Sequence, residues 1–307
     1  MIDGPQAALR FLHYAGLLGL FGWTAFRVVG LRSLPSLPRD HGRAAVLAAA
    51  LAVPILAVAL MLASIAAMMG QPLVALDWPV LEAMISTTSM GWAFLVRVAL
   101  LVTALGVLIA SRGTAALAMA AGCYAGALVT LGWSGHAAAT EGALGLFHRL
   151  NNGAHLLASG LWLGAIGWFV HLTIEAHRQR SLSTVQSLLA VTHGFFPLGV
   201  ALVAVVAVTG LINAQLILNL QNGIGVLTTG YGLLLAAKVA LVAGMLAFGA
   251  HNAHIGRRAA AALAPDDPGN ATALRLLRYR LAKEFGLGVG VVALVAVLGM
   301  LSPMVME

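Results

Sequence analysis

Three imidazoles, His136, His148 and His155, fall within one stretch of 36 residues, WSGHAAATEGALGLFHRLNNGAHLLASGLWLGAIGW, from Trp133 to Trp168. Imidazole nitrogens ligate transition metals, copper among them. On a helix, the seven-residue step from His148 to His155 is two turns on nearly the same face, about 10 Å along the axis. Asn151, Asn152, Ser159 and Trp162 share or border that face. Polar groups inside an apolar run are expensive unless paired or put to use, which makes this stretch the first candidate for a metal site. Gly135 and the small residues after His136 let the backbone approach a ligand closely there.

The elements that must position these residues follow from composition. The chain has 307 residues, 61% hydrophobic and 9% charged, with a mean hydropathy of +0.95. Soluble domains carry about 25% charged residues. The expected fold is all-α, a polytopic membrane bundle of about eight spans forming one transmembrane domain over 1–307. A span takes about 20 apolar residues, which places them at about 5–29, 44–69, 91–110, 114–133, 147–175, 189–215, 231–254 and 285–301. The fifth is longer than a bilayer requires and is expected to tilt or project. Residues 71–89, with Asp77, Trp78, Pro79 and Glu82, suit a short interfacial segment. The N-terminus lacks a basic region and a small-residue cleavage site, so it reads as the first span rather than a removed signal.

Lys and Arg gather in alternate loops, those after spans one, three, five and seven. The intervening loops hold Asp77, Glu82 and Glu141 against Arg149. The positive-inside rule then puts both termini on the periplasmic side. A net charge of +7 distributed this way gives no basic stripe for nucleic acid. Cys123, the one cysteine, excludes an intramolecular disulfide and a Cys-only metal site. No ATP-binding loop or phosphorylation motif is present, and no enzymatic activity is expected.

Topology also gives depth. His136, His148 and His155 lie at or below the outer face, and His13 lies a similar distance below the outer end of the first span, so His13 and His155 can meet if those spans are neighbours. Met68, Met69, Met84, Met90, Met300, Met304 and Met306 fall on the same side. Thioethers are soft ligands that favour Cu(I). Singly, each methionine is more often packing filler; the coincidence of side and depth is what points to an outer Met and His site for copper, Cu(I) or Cu(II). On the opposite side His171, His177, His193, His251 and His254 read as interfacial residues. Arg97, Lys238 and Glu284 are charges within or at the mouth of spans and are expected to face inward and pair, Arg97 or Lys238 with Glu82, Glu141 or a bound anion.

SGHAAA followed by HLLASGLWLGAIGWF resembles the copper resistance protein D family, through Gly135, His136, Ala137, His155, Trp162, Leu163 and Gly164. VAVTGLINA, YGLLLAAKVALVAGMLAFGAHN with Lys238 and Asn252, and Glu284 ahead of Pro303 extend the resemblance over residues 130–303. It implies an eight-helix protein of the bacterial inner membrane that handles copper, moving it from periplasm toward cytoplasm. It also implies a separate CopC-like periplasmic copper-binding partner. Two other functions use the same residues: a haem-binding electron-transfer protein with His13 and His155 as axial ligands, and a non-transporting assembly factor that binds copper at its outer face.

Overall fold

Inside a bilayer the backbone must satisfy its own hydrogen bonds, so an apolar chain of this length becomes helices. The computed structural model describes residues 3–31, 42–179, 182–218, 228–262 and 269–301. Among these lie helices α1 (Gly4–Val29), α2 (Arg43–Met69), α3 (Trp78–Thr87), α4 (Ser89–Ala110), α5 (Thr114–Val129), α6 (Gly142–Gln179), α7 (Leu182–Leu218), α8 (Gly230–Ala262) and α9 (Gly269–Leu298), three short 3-10 turns and no strand. Local chemistry sets several of the ends. Asp3 caps α1, its carboxylate accepting from Gln6 N at 3.4 Å, with Pro5 in the first turn. Thr88 Oγ1 accepts from Gly91 N at 2.9 Å and starts α4. Gly70 ends α2 in the left-handed region, at φ 63°, where a side chain would be strained.

The helices form two four-membered rings. In the first, α1 packs on α2, α2 on α4, α4 on α5, and α5 returns to α1; α3 lies against α4 at one end. In the second, α6 packs on α7, α7 on α8, α8 on α9, and α9 returns to α6. The rings meet where α1 lies along α6, with α5 on α6 and α1 on α9 adding to the junction. α1 and α6 run parallel: Leu18 and Phe21 lie over Gly160, Trp23 stacks on Trp168 at 3.9 Å, and Phe26 meets Phe169 edge-on at 5.5 Å. Glycine makes this approach possible. A Cβ on Gly22 would strike Gly160 O and the backbone of Gly164, and one on Gly164 would strike Gly22. Such close helix contact is the usual way membrane helices gain packing energy, lipid being as apolar as leucine.

Among the described residues, seven helices are long and apolar enough to cross a membrane, α2 and α4 to α9. The chain is therefore an all-α multi-pass membrane bundle. α1, expected as an eighth span, falls outside that set because it carries Arg10, His13, Thr24 and Arg27 among its apolar residues. It is nonetheless well packed, with Leu17 and Phe26 wholly buried and with His13 and Thr24 buried too. The segment expected at the interface holds a 3-10 turn, Leu73–Ala75, and α3, whose Trp78 is largely exposed.

Candidate metal centres

His155 stands on the face of α6 that meets α7. Thr209, opposite it, has one hydroxyl hydrogen and directs it to Val205 O one turn back. Its Oγ1 lies 2.9 Å from His155 Nδ1. That contact orients the ring, as outer-shell partners do for metal-ligating histidines. One turn toward the start of α6, Asn151 Nδ2 donates to Thr209 O at 2.9 Å and to Asn213 Oδ1 at 2.8 Å. Lys238 on α8 is within electrostatic reach of the same imidazole. Of this set, His155, Asn151 and Lys238 stand out in the sequence. Thr209 and Asn213 do not, although they sit at i and i+4 within the apolar run VAVTGLINA, a spacing that puts both on one face.

His13 belongs to the other ring. It is completely buried, and neither ring nitrogen has a hydrogen-bond partner. Gly16, three residues on, lies close against Val53, so this side of α1 looks toward α2. Arg97 on α4 is within electrostatic reach of His13. Its Nε donates to Thr130 Oγ1 at 2.8 Å and its Nη2 to Thr130 O at 3.0 Å, just past α5.

The two imidazoles therefore share a depth but not a site. His13 precedes Gly22 by nine residues, and His155 precedes Gly164 by nine. Nine residues are two and a half turns, so each histidine is carried to the far side of its helix from the glycine contact. The rings put them back to back across the α1–α6 seam. Two axial ligands facing one haem are not formed by this pair.

The remaining candidates disperse. His148 is buried near the start of α6, with Nδ1 3.0 Å from Thr140 Oγ1, and ties the helix to the preceding loop. The His136 side chain lies outside the described residues, as do those of His193 and His254 and the whole of Met304 and Met306. Met84 and Met90 pack against Met61, Ile65 and Phe94 between α2, α3 and α4. Met68 and Met69 are exposed at the end of α2. All four lie in the first ring, which keeps them apart from His155. At the other end of the bundle, His171 stands edge-on to Trp23 at 5.4 Å. Among the described residues no three His, Cys, Asp or Glu side chains converge on one point. Arg97 is satisfied by Thr130 and pairs with neither Glu82 nor Glu141, both of which are exposed.

Comparison with known proteins agrees with this division of the chain. Residues 1–146, which contain the first ring, match the family model described as Copper resistance protein D-like, N-terminal domain. Residues 189–298, spanning α7 to the end of α9, match the model described as Copper resistance protein D. No solved structure matches. The Copper resistance protein D of Pseudomonas syringae pv. tomato is 35% identical over 315 residues, covering 99% of this chain and 98% of that protein. An end-to-end match at that identity, on top of two family-model matches that leave out only most of α6, the start of α7 and the C-terminal end, means that the chain belongs to the copper resistance protein D family.

Proposed function

We propose that this protein moves copper across the bacterial inner membrane, from periplasm toward cytoplasm, as a single transmembrane domain with both termini periplasmic. Family membership supports a role in copper handling. The single observation that carries the transport reading is the state of His155. A half-buried histidine within a span, its ring oriented through Nδ1 by Thr209, is placed to receive a metal ion. Copper is the cargo and no covalent chemistry is performed on it. Outer methionines, Met68 and Met69 at the end of α2 and Met84, Met90 beside α3, would gather it together with His136 and His148. His155 in the second ring and His13 in the first would each offer it a separate stopping place within the bundle. A CopC-like periplasmic protein is a natural donor at this face.

Purified protein in liposomes, with a copper-sensitive dye inside, tests this. Copper influx that His155→Ala abolishes supports transport. Copper bound at His155 without influx would instead mark the protein as a periplasm-facing copper-binding assembly factor.

A further inference from the structure

α6 and α9 run antiparallel and part from each other toward one end. Higher up they touch: a Cβ on Gly288 would strike Leu163, and one on Gly167 would lie 3.4 Å from the Phe285 ring. Three residues beyond Gly167 the pair opens into a groove of about 690 Å³, with Val170 and Ile174 on one side and Arg275, Arg278, Tyr279 and Ala282 on the other. Those four are spaced i, i+3, i+4 and i+7, which is one face of α9. The face continues through Gly286, Val289 and Ala293, all exposed, within the apolar span Arg275–Leu298. Along α9 the stripe is therefore basic for one turn, then aromatic, then apolar.

The basic end lacks a counter-charge. Among the described residues, Arg275 and Arg278 make no hydrogen bond or ion pair, and no Asp or Glu lines the groove. Glu284 is buried on the opposite side of α9, turned toward Gly249 of α8. Lys283 Nζ sits over the Tyr279 ring, 4.4 Å from its centroid, and brings a third cation to the same wall. In the orientation proposed above, these groups lie at the cytoplasmic face, where basic residues attract anionic lipid and tyrosine suits the headgroup level. A guanidinium matches a phosphate with two parallel hydrogen bonds. A zwitterionic headgroup would set its ammonium against three cations with no carboxylate to receive it. An apolar wall alone accepts any acyl chain and a cationic rim alone any anion. Joined end to end, they fit a molecule that is both.

We propose that this groove binds one anionic glycerophospholipid, its phosphate held by Arg275 and Arg278 and an acyl chain laid along Val170, Ile174 and Ala282. The groove is of the size of small-molecule sites, roughly 300–1,000 Å³. The lipid fills the space that the parting helices leave and completes the contact between α6 and α9, the one that closes the second ring. The assignment involves none of the histidines and does not rest on the copper reading.

Native mass spectrometry of the full chain tests this, with phosphatidylglycerol and phosphatidylethanolamine of matched chains added in equal amounts to the detergent. One phosphatidylglycerol per chain is expected to be retained in preference to phosphatidylethanolamine. Arg275→Gln and Arg278→Gln should each weaken that preference about fivefold, the usual contribution of one basic residue beside anionic lipid. Arg275→Lys and Arg278→Lys should keep most of it. Ala282→Trp, which fills the apolar wall, should reduce retention of both lipids. Arg112→Gln removes an equal charge from the exposed turn between α4 and α5 and should change nothing. A preference unmoved by either glutamine, or lowered as much by Arg112→Gln, means diffuse attraction and overturns the proposal. Retention that Ala282→Trp leaves intact overturns it as well, as does displacement of the lipid by an equal concentration of glycerol phosphate, which would mark an anion pocket without a place for the chain. A protein dimer in place of the lipid adduct assigns the groove to a second copy and overturns it too.

Discussion

Gly22 and Gly164 meet backbone to backbone, and this contact sets the distance between the two rings. Nothing larger than hydrogen fits at either position without moving a helix. Gly164→Leu is expected to destabilise the protein by about 1–3 kcal/mol through overpacking, read as a lower midpoint of thermal unfolding in detergent. Gly19→Ala on the same helix, where an added Cβ meets nothing within 4 Å, should leave the midpoint unchanged or raise it. Equal losses from both substitutions would mean that α1 is intolerant as a whole and not at the seam.

Thr209 should matter through His155. Thr209→Val keeps the shape of the side chain but removes the hydroxyl beside His155 Nδ1. Copper affinity is expected to fall by roughly 10–100-fold, as for other outer-shell partners of metal ligands. Thr209→Ser, which restores the hydroxyl, should recover most of it. A Thr209→Val protein with unaltered copper affinity would detach the Thr209 contact from metal binding.

Among the described residues, Thr130 is the one hydrogen-bond partner of the buried Arg97 guanidinium, through its hydroxyl at 2.8 Å and its carbonyl at 3.0 Å. Thr130→Val removes the first of these. Hydrogen bonds to charged groups contribute roughly 1.5–3 kcal/mol, and a thermal shift of that size is expected. Thr103→Val, whose hydroxyl only returns to Ala99 O on an exposed face of α4, serves as the comparison and should change little.

Asn151 and Asn213 should be energetically coupled. Their amides bond directly at 2.8 Å between α6 and α7. A double-mutant cycle with alanine at each position is expected to return roughly 1 kcal/mol, in line with interhelical polar pairs in membranes. A coupling of zero would mean that the α6–α7 contact is held by the apolar residues Ala158, Trp162, Ile166 and Val206 alone.

The proposed orientation, with periplasmic termini, makes a labelling prediction. In a Cys123→Ser background, Gln71→Cys lies exposed beyond α2 and should react with an impermeant maleimide added to spheroplasts. Arg112→Cys, exposed in the turn between α4 and α5, should react only after permeabilisation. The opposite pattern inverts the topology.

Residues that interrupt an apolar run were legible without coordinates. His155, Asn151, Arg97 and Lys238 each stand out against their neighbours, and their depth follows from counting along a helix. Their company was not legible. Whether His13 faces α6 or α4 depends on which side of α1 carries the seam, and with Gly16, Gly19 and Gly22 on that helix the sequence offers several stripes of small residues. The structure selects the side containing Gly22, so that His13 and His155 are placed at one level yet back to back. Thr209 and Thr130 escaped notice for a different reason. A threonine in a span usually bonds its own helix, as Thr24 does to Leu20 O. Only the neighbouring helix reveals that its hydroxyl also meets a histidine or an arginine. Met84 and Met90 show the converse, being soft donors by type but partners of Ile65 and Phe94 by packing.

The closure of each ring on itself bears on how the protein is made. Ribosomes deliver α1, α2, α4 and α5 before any helix of the second ring, and these four pack on one another. The first half can thus begin to pack while the second is still being synthesised. What it leaves unfilled is the strip of α1 around Gly22, too narrow for a lipid chain to follow closely. α6, the next helix inserted, carries Gly160 and Gly164 to fill it. Order of synthesis and order of assembly coincide, with the glycine strip as the template that the earlier half presents to the later one.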